Sequence, residues 1–204
     1  MSDMTKEEVI KTYRGLNESD TYYIYQALSC LTVILPENDI TYWANGGTLL
    51  GAMRCGGIIL WDDDVDLAIP LSDRDKLESL KDKLKLFKLG LKRPSNKYYK
   101  IYPLDNPNVW IDICLIETNT GLDLRGHKKK RQYLNDEIFP LRQIHFSSLK
   151  KPINIPNKSE EYLDRIFKDW REYAVIYNHH DKKKTRTIVK LDENFTVALP
   201  YFYR

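Results

Sequence analysis

Cysteine is scarce. Cys30, Cys55 and Cys114 are the only three in 204 residues, and none stands in a CxxC or CxH pair, which argues against a zinc site or a disulfide framework and fits a reducing compartment. Long apolar runs are missing as well. No stretch approaches the roughly 18 uninterrupted apolar residues of a membrane-spanning helix. The start, MSDMTKEEVIKTYRGLN, carries charges where a signal peptide needs an apolar centre. We therefore read a cytosolic protein without a membrane span. Nor is there an excess of one charge sign: 32 basic residues face 29 acidic ones, for a net charge of +3, so neither a generic polyanion surface nor a nucleic-acid partner is expected. No repeat and no Gly/Ser- or Pro-rich linker divides the chain, and its length suits one core.

What is present is an alternation of helical and extended patterns. Residues 5–16 carry Val9, Ile10, Tyr13 and Leu16 at helical spacing. Ser19 or Asp20 is a candidate cap for a helix to about Leu35, which Pro36 and Asn38 end. Residues 40–44 read as a strand, followed at once by Gly46-Gly47 and a short helix over 48–54. Residues 64–69 read as a strand with Val65, Leu67 and Ile69 on one face and acids on the other. An exposed helix is expected over 72–89, with Leu77, Leu80, Leu84 and Phe87 facing inward. Strands at 98–102 and 109–116, extended pieces near 139–146 and 153–155, and a helix over 159–168 complete the pattern. The order predicts an α/β (α+β) domain, a mixed β-sheet flanked by helices.

The stretch WDDDVDLAI, 61–69, places four carboxylates in five positions and runs directly into apolar strand residues. Residues two apart on a strand share a face at roughly 6.5–7 Å, so Asp64 and Asp66 present two carboxylates side by side. Asp62 joins them if the strand begins early, while Asp63 points away. Hard oxygen ligands of this kind suit Mg²⁺ or Mn²⁺, which take their remaining ligands from water and substrate phosphate. Asp112, the lone charge in VWIDICLI at 109–116, has its pKa raised by burial unless a cation sits opposite. Beside the first strand it completes a three-carboxylate cluster, one member of which can serve as general base. Gly46 and Gly47 lack Cβ atoms, so N–H groups at the start of the following helix can approach a phosphate. Thr48 adds a hydroxyl, and Arg54 and Lys100 are candidate phosphate-neutralising cations. This conjunction points to phosphoryl or nucleotidyl transfer on a nucleotidyltransferase-like fold.

Tyr42-Trp43, GGTLLGAMR, GGII and WDDDVDLAI, with VWIDI at 109–113, FPL at 139–141 and PNKSEEYLDRIFKDW at 156–170, resemble the LicD family of phosphocholine transferases and the fukutins, over about residues 22–171, with 172–204 as a C-terminal extension. The resemblance implies Mg²⁺- or Mn²⁺-dependent transfer of a phospho-alcohol group from a CDP-activated donor to a sugar hydroxyl of a glycan acceptor. It implies metal binding by Asp64 and Asp66, with Asp62 as the first acid of the motif. Asp112 would be the third carboxylate, Gly46, Gly47 and Thr48 a phosphate cradle, and Arg54 the motif arginine. Departures from the family pattern fall at Leu60, at Cys114-Leu115 and at Phe167-Lys168, the last where donor or acceptor contacts are expected. Two other readings are transfer of NMP from an NTP, and a catalytically silent nucleotide- or glycan-binding module.

Further candidates are bland by comparison. The HHD at 179–181 and the basic GHKKKRQ at 126–132 read chiefly as solvated turns. Tyr42 and Trp43 suit either core packing or stacking on a base or choline. Trp61 and Trp110 read as strand-end packing.

Overall fold

The structure, a computed structural model, describes residues 5–126, 132–134, 136–177, 186–192, 196 and 198–199. The HHD at 179–181 and residues 127–131 of the basic loop lie outside them. The chain begins with α1 (Lys6–Tyr13) and α2 (Glu18–Glu37). The cap of α2 is Asn17 rather than Ser19 or Asp20: its side chain accepts from the Asp20 N–H at 2.8 Å, the geometry of an N-cap oxygen on the third helical residue. One face of α2 buries Ile24, Tyr25, Leu28, Leu31 and Leu35. Pro36 sits inside the last turn instead of ending it, and Asn38 caps the helix.

Only Trp43–Ala44 of the expected first strand is strand, β1. It leads into α3 (Gly46–Cys55), which starts two residues earlier than its apolar pattern indicates, at the glycine pair, and ends on Gly56 at φ 68°. Glycine adopts this left-handed stop without a Cβ penalty. Next come β2 (Val65–Pro70), α4 (Arg74–Ser79) and α5 (Lys81–Leu86). The single helix expected over 72–89 is thus broken at Leu80. The break lets Leu77, Leu80 and Leu84 all enter the core while Phe87 stays 46% exposed.

Then β3 (Leu89–Ser95), β4 (Tyr98–Pro103), β5 (Ile111–Glu117) and the short β6 (Leu122–Asp123) follow. The sheet order is β1-β2-β5-β4-β3, with β6 against β5. Strands β2 and β5 run parallel and the remaining pairs antiparallel. The edge strand β3 carries exposed Lys92, Arg93 and Pro94. A proline is tolerated there because an edge need not donate to a ladder, and its interruption of the alternation hides the strand from pattern reading.

A second small sheet pairs β7 (Arg142–Ile144) with β8 (Ile153–Ile155); after it come α6 (Ser159–Ile166) and the hairpin β9 (Tyr173–Tyr177) with β10 (Arg186–Lys190). The described part of 172–204 belongs to the body of the domain. Ala174, Ile176, Val189 and Leu199 are buried in the common core, and the Tyr25 hydroxyl donates to the Leu199 carbonyl at 3.1 Å. No helix among the described residues is long and apolar enough to cross a membrane.

Candidate functional site

The centre of the site is set by strand register. Asp66 on β2 and Asp112 on β5 are direct partners across the parallel pair, and Lys100 on β4 is the partner of Asp112 on its other side. Directly opposed residues share a face of the sheet, so a row Asp66, Asp112, Lys100 crosses three strands. Lys100 is spent within this row: its Nζ lies 3.6 Å from Asp112 Oδ1 and 3.5 Å from the Trp110 ring centroid. It does not line the neighbouring cavity.

The acids preceding β2 gather at the mouth of the row. One carboxylate oxygen each from Asp62, Asp63 and Asp64 falls within 4.8 Å of the others. Asp63, expected to point away, joins the cluster because these three residues precede the strand without regular secondary structure and do not obey its alternation. Burial, then the charges of Asp66 and Asp63, pushes Asp62 up to about 7. Burial followed by Asp66, Asp62, Asp63 and Asp112 pushes Asp64 up to about 8. Burial raises Asp112 to about 6, with Lys100 opposing the rise. The displacements of Asp62 and Asp64, to which no cation contributes, mark carboxylates that lack compensating positive charge. A hard divalent cation fits the donor set, which is all oxygen and anionic.

One cation does answer the acids. Arg125, just after β6, places a guanidinium nitrogen 2.8 Å from Asp66 Oδ1 and another 3.3 Å from Asp123 Oδ2. Sequence reading missed it; its only linear signal is a place beside the basic loop. Burial disfavours the charged Arg125 guanidinium, and neighbouring groups, Asp66 and Asp123 among them, outweigh that penalty, so its pKa is raised.

The glycine pair packs on the same acids. A Cβ on Gly46 would stand 2.8 Å from Asp66 Oδ2, and one on Gly47 would stand 2.6 Å from Asp62 Oδ2. Gly46 also has φ +52°, a left-handed conformation costly for other residues. The pair therefore makes room for carboxylates as well as for any ligand. Asn45 precedes α3 without capping it through its side chain. Its Oδ1 instead accepts from the Tyr133 hydroxyl at 2.9 Å, and Trp43 Nε1 donates to the same hydroxyl at 3.2 Å. Thr48 is buried with its Oγ1 accepting from the Asp66 N–H at 2.7 Å; it braces β2 and does not line the cavity. Tyr42 and Trp43 are core residues.

A cavity of about 450 Å³ opens between these elements, with Gly46, Gly47, Asp62, Asp64, Asp66 and Arg125 on one side. Arg54 lies in its lining too, donating from Nε to the Trp170 carbonyl at 3.1 Å and from a terminal nitrogen to the Tyr173 carbonyl at 3.5 Å. Asp112 and Lys100 sit behind the lining.

Comparison with known proteins bears on this arrangement. The family model described as "LicD/FKTN/FKRP, nucleotidyltransferase domain" matches residues 39–158. An uncharacterized protein of Rickettsia prowazekii is 29% identical over 198 residues, covering 90% of this chain and 71% of that protein. One of Rickettsia typhi is 30% identical over 194 residues, with 88% and 59% covered. The ribitol 5-phosphate transferase FKRP of Homo sapiens is 50% identical over 48 residues, which is 24% of this chain and 10% of the longer protein. The crystal structure of ANT(2")-Ia in complex with adenylyl-2"-tobramycin aligns with a TM-score of 0.41 at 15% identity, over 69% of this chain and 74% of that one.

Proposed function

Because this chain belongs to the LicD/FKTN/FKRP nucleotidyltransferase-domain family, we propose that it transfers a phospho-alcohol group, phosphocholine-like or polyol phosphate, from a CDP-activated donor to a sugar hydroxyl of a glycan. The observation that carries this reading is the in-register pair Asp66 and Asp112, set beneath the Asp62, Asp63 and Asp64 cluster at the end of a glycine-lined cavity.

In this reading Asp62 and Asp64, with Asp63 and Asp66 beside them, hold Mg²⁺ or Mn²⁺. The bound cation would supply charge neutralisation for the donor pyrophosphate. Gly46 and Gly47 admit the diphosphate to the start of α3, where unpaired N–H groups and the helix dipole favour an anion. Arg54 and Arg125 add positive charge on two sides of the cavity. An acceptor hydroxyl oxygen attacks the phosphorus bearing the alcohol. The bond from that phosphorus to the bridging oxygen breaks, and CMP leaves with the electron pair. The hydroxyl proton passes to a carboxylate, for which Asp112 is our candidate. Its Oδ1 is buried and accepts no hydrogen bond among the described residues, and Lys100 orients it.

Phosphorus NMR of the protein incubated with Mg²⁺, CDP-ribitol or CDP-choline and glycan acceptors tests the proposal. Release of CMP with a new phosphodiester resonance supports it. Pyrophosphate release from an NTP would instead assign nucleotidyl transfer, a reaction the same carboxylates can serve. Metal-dependent binding without turnover of any donor would leave a binding module.

A further inference from the structure

Three apolar side chains stand out at the end of the sheet where the acids gather. Strands β2 and β5 start at that end, β4 finishes there and β3 starts there, since Asp66 pairs with Asp112, Ile111 with Ile101, and Leu89 with Pro103. Just beyond the strands the Leu104 N–H donates to the Lys88 carbonyl at 2.8 Å, which sets Leu104 beside the turn that holds Leu86 and Phe87. Leu86 is 83% exposed, Phe87 46% and Leu104 47%. The local chain explains why. Helix α5 buries Leu84, Lys88 reverses the chain in a left-handed conformation at φ 58°, and Leu89 returns to the core at the start of β3. Leu86 and Phe87 are left on the outside of that reversal.

The charge around them is predominantly positive. Residues 81–93, KDKLKLFKLGLKR, hold six basic residues and one acid, and Lys81, Lys85, Lys88, Lys92 and Arg93 are exposed. Three of these are paired: Lys85 with Asp82 at 2.8 Å, Lys88 with Asp105 at 2.9 Å and Arg93 with Glu78 at 2.8 Å. Exposed pairs of this kind are weakly held, so they yield to a denser array of anions. Lys81 and Lys92 stand in no ion pair among the described residues, and Lys83 Nζ reaches only the neutral Asn38 side chain, at 3.1 Å. On the α2 side, Asp20 is taken up by the side-chain amides of Asn17 and Asn106.

A protein partner would need a surface shaped to three separate tips. A fluid bilayer needs no such shape, and apolar side chains among lysines suit one with anionic headgroups. We propose that the end of α5, the start of β3 and Leu104 form a docking surface for an anionic bilayer, with Leu86, Phe87 and Leu104 entering the headgroup region and the lysines meeting lipid phosphates. Docking there brings the bilayer to the end of the sheet that carries Asp62, Asp63 and Asp64. The surface goes beyond the transferase reading and stands without it.

The test is flotation of the full chain, without donor or metal, on vesicles of phosphatidylcholine alone and of equimolar phosphatidylcholine and phosphatidylglycerol. The protein should float with the anionic vesicles and not with the neutral ones, and added salt should release it. Leu86→Asp should weaken binding roughly tenfold or more, the scale of one apolar side chain withdrawn from the interface. Its exposure leaves the fold intact, which circular dichroism checks. Lys81→Gln combined with Lys92→Gln should weaken binding about 25-fold, at about fivefold for each lysine near an anionic leaflet. Lys151→Glu, an exposed charge change just before β8, which packs beside β1 at the other edge of the sheet, should leave binding unchanged. Equal flotation with neutral vesicles, no flotation with either, an unchanged Leu86→Asp, or an equal loss in Lys151→Glu overturns the proposal.

Discussion

Asp66 and Asp112 are direct partners across two parallel strands, and each meets a different cation: Arg125 at 2.8 Å from Asp66, Lys100 at 3.6 Å from Asp112. The two inner acids are therefore individually compensated. Of the outer acids that draw together with Asp63, neither Asp62 nor Asp64 has a basic partner among the described ion pairs. That asymmetry locates where a metal would add most.

Replacing Asp66 by Ala should reduce turnover at least about 100-fold, since several kcal/mol of charge stabilisation is at stake. The fold should persist, because Arg125 retains Asp123. Steady-state rates alongside circular dichroism check both halves. Near-native turnover would remove Asp66 from the site.

Stability without metal should fall as pH rises. Asp62 and Asp64 have folded-state pKa values raised to about 7 and about 8, above an ordinary carboxylate value near 4. The native state thus binds more protons than the unfolded one in between. Its stability is fully present below about pH 4 as far as these groups are concerned and is lost through pH 7–8. Melting temperature in EDTA should decline from pH 5 to 8.5, and Mn²⁺ should raise it most at the alkaline end, where the ligands are ionised. A flat profile in EDTA contradicts the electrostatics.

Gly47→Ala tests the packing of glycine on the acids. The added Cβ, 2.6 Å from Asp62 Oδ2, displaces a side-chain end and not backbone, so the protein should fold. Mn²⁺ affinity, followed by electron paramagnetic resonance, should drop roughly 10–100-fold, the usual effect of disturbing the orientation of a ligand. Unchanged affinity would place the metal elsewhere.

Arg125→Met should act in opposite directions on the two ligands. Removing the cation beside Asp66 leaves more uncompensated negative charge, so Mn²⁺ should bind more tightly while a CDP donor binds more weakly. Titrations with each ligand separate the effects. Weakening of both would mean that Arg125 is needed chiefly to hold the site together.

Tyr133→Phe should cost about 1–3 kcal/mol, because Asn45 Oδ1 and Trp43 Nε1 lose their common partner inside the core. Chemical denaturation measures it. A loss below that range would show that Asn45 has turned to cap α3.

Much of the site was legible in the linear order. The DxD pattern on an apolar strand, the isolated Asp112 and the glycine pair before a helix are local signals, governed by strand alternation and by the need of a buried acid for a partner. The exchange of Asn17 for Ser19 or Asp20 as helix cap is a shift of a few residues of the kind local pattern leaves open. The broken helix at Leu80 and the edge strand β3 escaped because burial and edge position override periodicity there.

By itself the sequence determined the identity of the acids, the alternation that puts Asp66 on the face opposite Val65 and Leu67, and the family to which the chain belongs. Tertiary structure alone decided that Asp63 joins the cluster, that Arg125 from 59 residues away in sequence neutralises Asp66, that Lys100 is spent within the sheet and Thr48 in bracing β2, and that residues between 166 and 175 line the cavity. The physical reason is that charge compensation and cavity shape depend on distances through space, and a sheet whose neighbours are not consecutive in the chain brings together groups that no linear spacing relates.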